Sequence, residues 1–181
     1  MNATTRMTVV LLLVGLANLA NAQQQDGVPS AVVESWSYLI GDWQISGRVG
    51  SASLTGSATF EWVEGKHCYL GRQDWRVGDA GRLVRLTLLG GWNAAEKATV
   101  EQGFSSSGDA ATVYYQPAAP GGNVIEGDID GASGPDARWS GTVQLERKGP
   151  DEFQLTTTIE GEVRHSLKYT RKKDARDGGV K

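Results

Sequence analysis

"ARWSGTVQLERKGPDEFQLTTTIE", Ala137 to Glu160, carries the same apolar–polar alternation twice, on either side of one break. Between 137 and 147, Trp139, Val143 and Leu145 share one parity, while Arg138, Thr142, Gln144 and Glu146 share the other. From 152 to 160, Phe153, Leu155 and Ile159 oppose Gln154, Thr156, Thr158 and Glu160. A two-residue period belongs to a β-strand with one dry face and one wet face. The intervening Lys148-Gly149-Pro150-Asp151 is turn chemistry. A connection this short cannot hold a crossover helix, so the two strands must be antiparallel neighbours.

The same grammar extends in both directions. It predicts strands at 43–49, 54–63, 67–77, 82–92, 97–104, 110–117, 122–129, 137–147, 152–160 and 162–171. Clusters such as "EGK", "GDAG", "NAAEK", "SSGD", "PAAPGG" and "GASGPD" punctuate them, and Gly161 marks the last reversal. Ten strands in an up-and-down order leave two edges exposed unless the sheet closes on itself. The expected fold class is therefore all-β, a ten-stranded antiparallel up-and-down β-barrel. A two-sheet sandwich gives the same parity but usually needs longer connections between its sheets. Ahead of the first strand, "SAVVESWSYLI" spaces Val33, Trp36 and Ile40 by three and four, with Ser30 placed to cap, which predicts one short N-terminal helix.

The chain ends set the compartment. Residues 1–22 show an early positive charge at Arg6, an apolar run from Met7 to Leu19, and then Ala20-Asn21-Ala22. This is the pattern of a secretory signal peptide cleaved after Ala22, and the run is too short for an integral membrane span. No cysteine stands at the cut to carry a lipid. The expected location is periplasmic or secreted, with 23–30 a flexible lead-in, 31–172 the barrel, and 173–181 a charged, disordered tail. Without the leader, 17 basic side chains face 21 acidic ones, a net charge of −4, which disfavours nucleic acid as a partner. Cys68 is the only cysteine, so no internal disulfide forms and packing must supply the stability; Cys68 itself reads as a small packed residue.

Gly41-Asp42-Trp43 in "LIGDWQISG", the ten-strand meander, and Arg171 in "SLKYTRK" together resemble the calycin superfamily of lipocalins, fatty-acid-binding proteins and their relatives. The resemblance implies that Trp43 plugs the closed end of the barrel with Arg171 packed on its ring as a structural latch. Such a guanidinium–indole contact contributes roughly 0.5–2 kcal/mol. "FEWVEGKHCYLGRQDW" and "LLGGWNAAEK" resemble, more closely, bacterial secreted calycin-like domains of unknown function. A more distant resemblance, to the haem-binding nitrobindins, implies His165 as an axial iron ligand, six residues before Arg171. The glycine-rich stretch with Tyr-Pro that nitrobindins carry after the first strand has no counterpart in "SGRVGSASLTG".

Strand parity nominates the interior. His67 shares its parity with Tyr69 and Trp75, and His165 shares its own with Val163, Leu167 and Tyr169, so both histidines are expected in the lumen. With Trp62 and Trp139 they give an expected ligand-binding set of Trp62, His67, Tyr69, Trp75, Trp139, His165 and Tyr169. Aromatic walls with few polar groups suit a small apolar or amphipathic molecule. Glu61, Asp74 and Glu101 mostly oppose the apolar parity and are expected in solvent, and Arg72, Asp74 and Arg76 form an outer charge ladder. Asp128 and Asp130 lack the further oxygen ligands of a calcium loop. No nucleophile elbow, zinc-binding His-Glu-x-x-His or phosphate-binding glycine loop is present. The expected function is non-catalytic ligand binding with no cofactor. Two alternatives stand beside it: haem held by His165, and a structural or interaction module with a filled barrel.

Overall fold

A computed structural model describes residues 27–118 and 121–173. The expected signal peptide, half of the lead-in and nearly all of the tail lie outside the described residues. The helix α1 spans Ser30–Ser37. The strands follow as β1 Gly41–Val49, β2 Ala52–Trp62, β3 Cys68–Val77, β4 Arg82–Asn93, β5 Ala98–Ser105, β6 Ala110–Tyr115, β7 Val124–Ala132, β8 Arg138–Gly149, β9 Glu152–Ile159 and β10 Glu162–Arg171. Each pairs antiparallel with its sequence neighbours, and β1 pairs with β10, so the sheet is a closed barrel with no free edge. Each expected strand overlaps an observed one. Among the described residues no helix is long and apolar enough to cross a membrane.

Alternation places the core as the sequence requires. In β9, Phe153, Thr157 and Ile159 are buried, and in β8, Val143 and Leu145. The exception in β10 is Val163, more than half exposed, because the register with β9 shifts between Val163 and His165. That irregularity reverses the parity, so His165, Leu167 and Tyr169 face inward without Val163. The capping expectation also fails in detail. Pro29, not Ser30, is the N-cap, with no side-chain bond; its fixed φ of −55° turns the chain into the helix, and its carbonyl accepts from the Val32 and Val33 amides. The buried face of the helix is Val32 and Trp36, with Leu39 just beyond, instead of a stripe through Val33.

The two chain ends meet at one end of the barrel. Trp43 is completely buried and pairs with Arg171 across β1 and β10. The guanidinium carbon lies 4.2 Å from the centre of the indole. Its Nη1 donates to the Ile40 carbonyl at 2.9 Å and its Nη2 to the Tyr38 carbonyl at 2.6 Å. Trp43 Nε1 in turn donates to the Leu39 carbonyl at 2.7 Å. Gly41 has φ +126°, and a Cβ there would stand 2.7 Å from Arg171 Nη1, so the residue two before the tryptophan has to be glycine. The segment between α1 and β1 is thus bound into the barrel floor by backbone carbonyls that would otherwise need water.

Candidate functional site

The helix fills one end of the barrel and leaves the other hollow. A cavity of about 830 Å³ opens at the rim formed by the β1–β2, β5–β6, β7–β8 and β9–β10 turns, where Gly50, Asp109, Ser133 and Glu160 stand. Its walls are mostly apolar, with Val84, Leu88, Val113, Val143, Leu155 and Leu167 around the middle. The alternative of a filled barrel therefore holds only for the helix-plugged half.

Of the expected binding set, Trp75, Trp139, His165 and Tyr169 line the cavity. Trp139 leans over Gly131 at the mouth, its Nε1 donating to Ser133 Oγ at 3.2 Å. Trp75 and His165 sit ring to ring, 5.8 Å apart. Burial, and then the nearby Arg164 charge, lowers the His165 pKa, so its imidazole is neutral at neutral pH. Tyr69 is buried just beneath the cavity floor, with Trp62 beside it at the closed end, 6.3 Å between ring centres.

His67 is not in the lumen. It ends the short 3₁₀ turn Glu64–Lys66 in a helical conformation, before β3 begins at Cys68, so strand parity does not apply to it, and it is exposed on the outside of the closed end. The two histidines therefore lie at opposite ends of the barrel.

The floor contains what parity missed. Glu101 faces inward, with Gly90 on β4 and Val113 on β6 as its cross-strand partners. Its Oε2 accepts the Tyr69 hydroxyl at 2.7 Å. Gly90 makes that reach possible: it also pairs with Tyr69, and a Cβ there would lie 2.2 Å from the tyrosine ring. The Tyr115 hydroxyl lies near the carboxylate and, like that of Tyr69, favours its ionised form. Burial raises the Glu101 pKa to about 7, more than the neighbouring Tyr69 and Tyr115 hydroxyls lower it. Burial also pushes Tyr69, Tyr115 and Tyr169 well above the usual tyrosine range, so all three remain donors. Glu61 and Asp74, by contrast, are exposed as expected, paired with Arg72 at 2.6 Å and Arg85 at 3.7 Å.

A second buried polar group lines the same cavity. Gln73 is buried, and its Oε1 accepts from Trp75 Nε1 at 2.9 Å and from the Tyr169 hydroxyl at 3.0 Å. An indole N–H can only donate, which fixes the amide orientation and leaves the Gln73 NH₂ as the group presented to the lumen. The whole floor rests on aromatic contacts. Trp36 of α1 stacks on Tyr69 at 5.4 Å and meets Tyr115 edge-on at 5.0 Å, while Tyr169 stacks on Phe153 at 4.2 Å, and Phe153 meets Trp43 edge-on at 4.8 Å.

No family model matches the chain, and no curated protein matches it. Among solved structures, Rv2717c from M. tuberculosis aligns with a TM-score of 0.54 at 18% identity, covering 82% of this chain and 100% of that one. A de novo designed fluorescence-activating β-barrel aligns at a TM-score of 0.46 and 15% identity, over 76% of this chain and 97% of its own. The redesigned barrel mFAP0, solved bound to DFHBI, gives 0.45 at 8% identity, over 74% and 99%. At such identities the likeness is one of fold, an antiparallel β-barrel. The finer assignment to calycin-like domains or nitrobindins rests on the sequence motifs alone.

Proposed function

We propose that the protein is a non-catalytic binding protein for a small apolar or amphipathic molecule, acting outside the cytoplasm. The observation that carries this is the hollow half of the barrel: about 830 Å³, open at a polar rim, mostly apolar along its walls and polar again at its floor. Ligand sites have this size and this distribution of polarity. The location follows from the leader-like residues 1–22. Native mass spectrometry of the protein isolated from its own periplasm or medium tests both halves of the proposal. A co-purifying mass on a chain starting at residue 23 is the expected result. Leu155→Trp, which fills the middle of the lumen, should abolish uptake of a naphthyl probe while leaving the fold intact. A bare chain that takes up no apolar probe would overturn the proposal.

Haem held by His165 is the second reading, and one observation favours it. The imidazole lines an apolar cavity and is neutral at neutral pH, which suits a single axial bond to iron. Bound there, haem would supply one-electron and diatomic-gas chemistry. A Soret band that appears on haem titration and is lost in His165→Ala would select it; quenching of Trp75 fluorescence gives a second readout.

A further inference from the structure

A carboxyl group at the bottom of a mostly apolar well needs a partner, and the protein supplies only half of one. A carboxylate offers about four acceptor positions. Glu101 receives one neutral hydroxyl, from Tyr69, with that of Tyr115 nearby, and its remaining capacity faces the cavity. Among the described residues it belongs to no ion pair. The groups around it come from every element packed there: Tyr69 and Gln73 from β3, Tyr115 from β6, Tyr169 from β10, Trp36 from α1 and Tyr38 just after it. None is a cation. The charged residues in the cavity wall, Asp109, Glu160 and Arg164, stand at the rim instead, and Arg164 is more than half exposed.

From this arrangement we infer that the cavity selects amphipathic molecules carrying a protonated amine, with the ammonium on Glu101 at the floor and the apolar body against the walls. The inference rests on the binding function proposed above and specifies the ligand class of that same site. Three features fit an ammonium and not a carboxylate or a bare hydrocarbon. The acceptor is a carboxyl that ionises near neutrality and is aimed inward. Tyr115 and Tyr169 offer aromatic rings beside it, which attract cations in a desolvated site. Among the described residues no lysine or arginine lines the cavity at its floor to hold an acid head group. Trp36 holds Tyr69 and Tyr115 in place from below, so the hydroxyls need not be ordered on binding. Because the carboxyl titrates near neutrality, the site also has a built-in pH dependence. The ammonium is favoured when Glu101 is ionised, and each pH unit below about 7 should weaken amine binding roughly tenfold.

A matched trio of probes tests this: naphthylethylamine, naphthylethanol and naphthylacetate, titrated into the protein from pH 5.5 to 8.5 and followed by calorimetry and tryptophan fluorescence. At pH 8 the amine should bind at least about tenfold tighter than the alcohol, and the acid weakest of the three. The amine preference should decline toward pH 6, and amine binding near pH 7 should release protons to the buffer. Glu101→Gln should erase the preference and its pH dependence while retaining the alcohol. An alcohol that binds as tightly as the amine, or a preference that survives Glu101→Gln, would overturn the inference and leave the binding function standing. If none of the trio binds at any pH, the binding function falls and the inference with it. The pH profile of the unaltered protein decides the question even where Glu101→Gln does not fold.

Discussion

Replacing Arg171 with alanine removes three contacts whose worth can be estimated separately. The guanidinium over the Trp43 ring at 4.2 Å is a partly desolvated cation–π contact, its side chain 28% exposed, worth about 1–2 kcal/mol. Its hydrogen bonds to the Tyr38 and Ile40 carbonyls involve a charged donor, and losing them leaves two acceptors facing the vacated space, about 1–1.5 kcal/mol each. The Asp151 pair at 3.4 Å adds little, because that carboxylate is 61% exposed. The expected loss is about 3–5 kcal/mol, which lowers the Tm of a domain this size by roughly 10 °C. Urea unfolding followed by tryptophan fluorescence measures it. Arg171→Lys keeps the charge but not the two-pronged donor geometry, and should recover less than half of the loss. A loss below about 1 kcal/mol for the alanine variant, or a lysine variant as stable as the unaltered protein, would refute the idea that this residue binds the chain ends together.

Gly90→Ala places a methyl 2.2 Å from the buried Tyr69 ring, so the tyrosine must leave Glu101; a loss of about 2–4 kcal/mol and a changed pH midpoint for Glu101 are expected, read from urea midpoints and a carboxyl-resolved NMR titration. Glu101 binds its proton more tightly in the fold, near pH 7, than in the unfolded chain, near 4.5. Stability therefore declines as pH rises from 4.5 to about 7 and is level beyond; Glu101→Gln should remove this decline, gaining on the order of 1–3 kcal/mol at pH 8 relative to pH 4.5, with a gain independent of pH counting against a buried carboxyl. Trp36→Ala removes the support under Tyr69 and Tyr115 and opens the floor to water. It should cost about 3–5 kcal/mol in urea unfolding and move the Glu101 midpoint down toward the ordinary carboxylate range, whereas an unmoved midpoint would mean that burial by α1 does not set it.

The barrel was legible because its signals are local and repeated. Val143, Leu145, Phe153 and Ile159 announce their faces within one strand, and the turn residues between them fix the connections. The pairing of Trp43 with Arg171 was implied by the calycin resemblance, the register of β1 with β10 brings the two together, and Gly41 is explained once the guanidinium is seen beside it. The floor was not legible, for a reason specific to β5. Its larger apolar residues, Val100 and Phe104, occupy the outward parity, with Phe104 61% exposed, while the inward parity carries Thr99, Glu101 and Gly103. Periodicity alone therefore turned the strand inside out. The register across β3, β4 and β5 decides the matter, because Tyr69, Gly90 and Glu101 lie in one row and only an inward carboxyl can meet the tyrosine. Gly90 inside a strand was the one signal in the sequence that something large crosses it. His67 failed through its backbone: two residues of positive φ, Gly65 and Lys66, wind the turn ahead of it, and alternation begins only at Cys68.

The latch and the floor are one mechanical unit. Arg171 grips the Tyr38 and Ile40 carbonyls, and those residues follow directly on the helix that carries Trp36. Trp36 in turn bears on Tyr69, the donor to Glu101, and on Tyr115 beside it. A guanidinium at the end of the last strand thereby fixes the depth at which the lumen stops and the orientation of the hydroxyls at its base. A barrel of ten strands that lacked the plug would be open at both ends, and its buried carboxyl would become a hydrated one. The chain spends its N-terminal helix on closing one end, and that closure is what turns a tube into a site with a chemically distinct floor.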